Sequence, residues 1–261
     1  MDKATLGGLL LALGGIFLGL LLEGGNMGQL IQPTAAIIVF GGTLGAVLIN
    51  FPLAVVWKAF LRLAHMFREP GDSARTTIEI LVQYANRARR EGIVSLDGEL
   101  GNIQEPFLRR SMMLAVDGTE PQELRKIMEL ALDNMEEQEE KIPQVFEAAG
   151  GFSPTIGIIG AVLGLIQVMQ HLDKIDEVGK GIAVAFVATI YGVGAANLFF
   201  LPAAGKLKIR LRDEQIIREM TLEGVISILE GMNPRILEEK LLGFQAEAEE
   251  RAPAEQHVTP V

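Results

Sequence analysis

The sequence predicts an all-α membrane protein with four transmembrane helices and a cytoplasmic helical domain between spans two and three. Three observations carry this. Four long stretches, 4 to 22, 24 to 57, 148 to 172 and 181 to 205, contain no Asp, Glu, Lys or Arg. Each is long enough for the about 20 apolar residues that cross a bilayer as helix. The basic residues flank these stretches asymmetrically, and the residues between the second and third stretches show helical rather than strand spacing.

The spans fall at 4 to 22, 34 to 55, 152 to 172 and 182 to 204, and the bilayer requires helix for all of them because a lone strand could not satisfy its backbone there. The first resembles a secretory leader, but no small-x-small cleavage site precedes Glu23 and a second span follows closely, so it is expected to be retained. Lys3 precedes span one, the 23 to 34 loop holds no basic residue, and Lys58, Arg62 and Arg68 follow span two. Lys206, Lys208, Arg210 and Arg212 crowd the exit of span four, whereas the loop between spans three and four balances two Lys with three acids. This positive-inside pattern puts both termini in the cytoplasm.

The predicted organisation is 1 to 56 for the first two spans, 57 to 150 for the cytoplasmic helical domain, 151 to 205 for the last two spans, and 206 to 244 for C-terminal helices. In the insert, Gly71-Asp72-Ser73 opens a helix with Ile78, Leu81, Val82 and Ala85 on one face. GIVSLDGELGN interrupts it, a short helix follows at about 105 to 116, and Pro121 starts another running toward Glu140. The segment KLKIRLRDEQIIREMTLEGVISILEG extends span four as helix to near Asn233-Pro234, and PRILEEKLLGF forms one more. From 245 to 261 the composition turns to Ala, Glu, Pro and Gln and predicts a disordered tail.

Composition narrows the function. A net charge of −10 opposes nucleic-acid binding, and the absence of Cys removes disulfides, thiolate catalysis and Cys-ligated metals. No cofactor is expected. The spans lack the ionisable side chains that pumps and carriers place at depth. If ions cross here, another polypeptide supplies the titrating group.

Small residues fill the last two spans instead. Span three carries Gly157, Gly160, Ala161 and Gly164, and span four Ala185, Ala188, Thr189, Gly192, Ala195 and Ala196, a pattern that serves close helix packing or a sleeve for partner helices. Thr189 can contact a neighbouring helix, water or ion, or return its hydroxyl to the Ala185 carbonyl. Pro154 and Pro202 sit at matching inner ends, either as a helix start and stop or as hinges. Arg87, Arg89 and Arg90 end the first helix of the insert, where cations also suit the helix dipole, with Asp97 and Glu99 shortly after. The acidic run Glu136 to Lys141 reads as a solvated face, and Trp57 as an interfacial anchor against membrane lipid.

Four stretches in order, YANRARREGIVSLD, SPTIGIIGAVLGLIQVM, GIAVAFVATIYGVGAANLFFLPAAGKLK and EGMNPRILEEKLLGF, resemble the A subunit of the bacterial flagellar motor stator, the MotA and PomA family, a distant relative of TolQ and ExbB. The likeness runs from the N-terminus to about Phe244. It implies a homopentamer around two single-span, MotB- or PomB-like B subunits, whose membrane Asp carries the ion. It further implies torque on the rotor protein FliG through Arg89, Arg90 and Asp97, hinges at Pro154 and Pro202, and a channel threonine at Thr189. Asp97 stands where the family commonly has Glu, so Glu99 could share its role.

Ala161 and Ala188 stand where sodium-driven relatives tend to carry Thr. Sodium needs several hard oxygen ligands, as oxygen-liganded cations generally do, so the missing hydroxyls favour H+ over Na+ as the coupling ion. Three other readings compete: a TolQ or ExbB type energiser with three spans and an external N-terminus, a lone membrane enzyme or carrier, and a membrane scaffold. The first conflicts with four charge-free stretches and Lys3, and the second with the missing polar machinery. The small-residue seams alone would satisfy the third.

Overall fold

The computed structural model describes residues 3–65 and 73–254, and among these every regular element is helical. The chain forms two compact units, one from 1–69 with 139–209 and the other from 70–138 with 210–261. These units do not coincide with the segments expected to divide at 57, 150 and 206. The reason is packing: Val56 and Ala59 share a core with Ile142, Val145, Phe146, Ala203 and Leu207.

In the first unit, α1 (Lys3–Leu22) is an apolar helix of 20 residues, and Pro33–Asn50 is long and apolar enough to cross a membrane. The latter combines α2 (Pro33–Ala36), a π-helical turn (Ile37–Gly41) and α3 (Gly42–Asn50). Span two was expected to reach 55, but it ends earlier. Phe51 is extended at φ −127° and ψ 144°, because a residue before proline, here Pro52, is driven out of the helical region. A separate helix, α4 (Leu53–His65), follows.

α7 (Pro121–Gln170) is one helix of 50 residues that passes through Pro143 and Pro154. Pro154, expected at the start of span three, lies inside this helix. After a turn, α8 (Ile175–Ala195), a π-helical turn (Ala196–Phe200) and α9 (Leu201–Leu229) succeed one another without a break. Proline lacks an N–H and its ring crowds the carbonyl four residues earlier. At Pro202 that carbonyl belongs to Leu198, inside the π turn, where the widened backbone removes the clash. Both α7 and Glu177–Leu229 contain a window apolar enough to cross a membrane.

In the second unit, α5 (Ser73–Glu91) buries Ile78, Leu81 and Ala85 and half-buries Val82, the face its spacing predicted. Gly92 turns the chain at φ 84°, where a side chain would be strained, and a 3₁₀ segment (Ile93–Asn102) follows. The Glu105 carboxylate then accepts from the Phe107 and Leu108 amides, capping α6 (Pro106–Val116). α10 (Pro234–Ala254) starts on Asn233, whose side chain accepts from the Arg235 amide at 3.0 Å. The core gathers Leu81, Leu96, Met112, Leu124, Met128, Val225, Ile226, Leu237 and Leu241.

The expected disorder from 245 is corrected as far as Ala254, where α10 continues; 255–261 lie outside the described residues. The reason is that Ala, Glu and Gln are strong helix formers, so a helix nucleated by the buried Leu237 and Leu241 propagates through them. Gly71, Asp72 and Arg68, which the sequence placed at a helix start and a basic flank, also lie outside the described residues.

Candidate functional site

The small residues of the last two spans form a continuous seam between α7 and α8. A Cβ added to Gly164 would stand 2.8 Å from the Ala185 amide nitrogen and the Gly181 carbonyl oxygen. One added to Gly157 would lie 2.9 Å from the Ala188 oxygen, and one on Gly192 only 2.5 Å from the Ser153 oxygen. These are backbone contacts, so no side-chain rotation relieves them. Glycine is required here by close approach rather than by turn geometry.

Ser153 fixes the inner end of the seam. Its wholly buried hydroxyl donates to the Gly192 carbonyl at 2.9 Å. Pro154 follows it and lies against Gly192, where an added Cβ would come within 3.2 Å of the Pro154 Cα. Of the two candidate hinges, Pro154 therefore sits inside the seam, while Pro202 is exposed and lies one residue beyond Leu201, which closes the π turn.

Thr189 is half-buried and returns its hydroxyl to the Ala185 carbonyl at 3.3 Å. That contact is long for an O–H donor, so the hydroxyl keeps capacity for another partner. Ala161 is half-buried as well. Ala188 is 0% exposed, enclosed by Gly160 and by a cluster with Ala35, Val39 and Val187. Away from the seam the hairpin is apolar and open: Ile158, Ile159, Val162, Ile166, Phe186 and Ile190 are all exposed.

Neither α7 beyond Glu147 nor α8 between Lys180 and its end carries an Asp, Glu, His, Lys or Arg. No group of three His, Asp or Glu that could hold a metal occurs among the described residues. Chemically the seam can enclose a path or a partner helix, but it contains no group that could take up a proton.

Sequence reasoning missed Tyr191. Its hydroxyl donates to the Leu30 carbonyl and accepts from the Gln32 amide at 3.3 Å, and its ring lies 6.0 Å from Phe40. It thereby pins the start of α2 to α8. The signal was a lone phenol in an apolar span, which must find a partner when buried.

In the second unit, Arg89 and Arg90 are exposed in the last turn of α5 and line a shallow groove with Asn86, Arg235 and Glu238. Neither has an ion-pair partner among the described residues. Arg87 behaves differently: it pairs with Glu99 at 2.7 Å and Glu91 at 3.2 Å. Hydrogen bonds from Asn102 and Arg87 hold the Glu99 carboxyl below its ordinary range. Asp97 is exposed on the 3₁₀ segment without a hydrogen-bond partner among the described residues, so of the two candidate acids it is the one left available.

Two family models cover the chain: "Motility protein A N-terminal" over residues 6–92 and "MotA/TolQ/ExbB proton channel family" over residues 99–220. Motility protein A of Bacillus subtilis is 36% identical over 94% of this chain and 91% of its own length. That of Helicobacter pylori is 36% identical over 95% and 97%, and Chemotaxis protein PomA of Vibrio alginolyticus 30% identical over 94% of each. The solved C. jejuni MotAB structure matches with TM-score 0.86 at 33% identity, covering 94% of this chain and 96% of that one. The flagellar MotAB stator complex of Bacillus subtilis matches with TM-score 0.83 at 36% identity, covering 92% and 95%. A seam of small residues without a titrating group, and relatives of this similarity along nearly the whole length, place the chain in the MotA/TolQ/ExbB proton channel family, on its Motility protein A branch.

Proposed function

We propose that this flagellar stator subunit supplies the walls of an ion channel and leaves the ion-binding carboxylate to a MotB-like partner. The observation that carries the reading is the α7–α8 seam: close-packed, apolar outside, and without a carboxylate, imidazole or basic side chain. The solved relatives are MotAB complexes, which supports a B partner. In this reading five copies surround two B subunits in the bacterial inner membrane, with four spans and both termini cytoplasmic. The basic flanks support that orientation. The motility-type N-terminal match favours the motor over a TolQ or ExbB type energiser. The work done is ion transport and torque rather than turnover of a substrate.

The coupling ion in this reading is H+. A hydroxyl at position 188 would lie inside the seam, so the case against sodium rests on Ala161. Motility measured while sodium is replaced by potassium at constant pH tests it: swimming is expected to persist, and strict dependence on sodium would reject the proton. Arg89, Arg90 and Asp97 form the surface offered to FliG, and Pro202, beside the π turn, offers the more deformable of the two hinges.

A further inference from the structure

The fold leaves much of the circumference of α4 uncovered. Successive helical residues turn by about 100°, so buried Val56 and Ala59, with half-buried Val55 and Leu63, form one face, which packs with Val145 and Phe146. The other side carries Leu53, Trp57 and Leu61, which are 71%, 65% and 52% exposed, while Phe60 at its margin sets its ring edge-on to Phe146 with centroids 6.2 Å apart. The spacing of Leu53, Trp57 and Leu61 places them in one contiguous arc. Lys58 borders that arc, whereas Arg62 lies farther round, next to the packed face. Arg62 reaches Glu139 at 3.2 Å, whereas Lys58 has no hydrogen-bond or ion-pair partner among the described residues. From Gly24 to Arg68 the chain contains no carboxylate.

The position of α4 indicates what covers the arc. It begins after Phe51 and Pro52, immediately beyond the apolar helix Pro33–Asn50, and two residues extend at most about 7 Å. The arc therefore starts at the edge of the hydrocarbon layer, at headgroup depth. A large apolar patch with a Trp and a cationic border is the composition of a helix lying in the membrane interface, and the cations there attract anionic lipid.

We propose that α4 is a docking surface for anionic phospholipid: Leu53, Trp57 and Leu61 enter the upper acyl region, and the Lys58 ammonium pairs with a negatively charged headgroup. The inference rests on Pro33–Asn50 being a span. It makes the lipid composition of the membrane an input to how the core around Phe146 is held.

Trp57 is the chain's single tryptophan and so reports on the patch directly. The full chain is reconstituted in vesicles of phosphatidylcholine and phosphatidylglycerol, with bromine carried on the acyl chains of one lipid or the other, and Trp57→Phe supplies the background. Blue-shifted emission is expected, quenched more by brominated phosphatidylglycerol than by an equal mole fraction of brominated phosphatidylcholine. Lys58→Gln should erase that preference and Lys58→Arg should keep it. Equal quenching of the unsubstituted chain by the two lipids would overturn the headgroup assignment. Quenching by neither would show that protein covers the arc, and would overturn the proposal entirely. Retention in the vesicles after alkaline extraction reports separately on whether the chain spans the membrane.

Discussion

The Ser153 hydroxyl donates to the Gly192 carbonyl at 2.9 Å across the seam between α7 and α8, at a point where the two backbones approach too closely for any side chain on Gly192. This pair fixes the register of the two inner helices next to Pro154. Whatever the helices enclose, they enclose in that register.

Adding a methyl group to the seam should therefore be costly. Gly164→Ala places a Cβ 2.8 Å from backbone atoms of Ala185 and Gly181, whereas Gly194→Ala meets nothing within 4 Å. The first should destabilise the protein by about 1–3 kcal/mol through overpacking, and the second should be close to neutral. Thermal unfolding of the solubilised chain compares them. Equal melting temperatures would mean that the helices separate easily.

Thr189→Val keeps the shape of the side chain and removes its hydroxyl. Ion conductance of the chain co-produced with a B subunit is expected to fall, while copurification of the two remains normal. Unchanged conductance would reduce Thr189 to its contact with Ala185.

Reversing an unpaired surface charge should affect the motor but not the membrane complex. Arg90→Glu is expected to impair swimming with normal membrane levels, because Arg90 is exposed and outside any ion pair among the described residues. Arg87→Glu should differ by disturbing the contacts to Glu99 and Glu91 as well. Normal swimming of the Arg90 variant would dismiss it from the rotor surface.

Acid should loosen the second unit through Glu223. Burial pushes this carboxyl up, but hydrogen bonds from Lys240 at 2.5 Å and Arg125 at 2.8 Å outweigh it and hold the group below its ordinary range. A depressed carboxyl contributes stability that is present above its unfolded value and lost as pH falls through the folded one. Glu223→Gln should therefore remove about 1–3 kcal/mol at neutral pH and flatten the acid limb of a stability profile followed by circular dichroism. An unchanged acid limb would count against the network.

Much of the helix inventory was legible because burial and lipid both impose periodicity. The α5 face, the short α6 and the start of α10 at Pro234 follow from apolar spacing and capping residues. Less legible was α7, since a sequence offers proline as a start or stop, whereas Pro143 and Pro154 are held within a helix packed on its neighbours. The break at Phe51–Pro52 lay inside an apolar run, where hydropathy gave no reason to end the span. At the candidate site the small-residue stripe could be read from spacing, but the Ser153 bond, the Tyr191 pin and the enclosure of Ala188 depend on helix rotation, which an apolar span does not encode.

Ion flux in vesicles containing this chain alone, the chain with a B subunit, and the chain with a B subunit lacking its membrane carboxylate tests the central claim most directly. The account predicts gradient-driven uptake only in the second preparation. Uptake by the chain alone would show that the seam carries a titrating pathway of its own, and would contradict it.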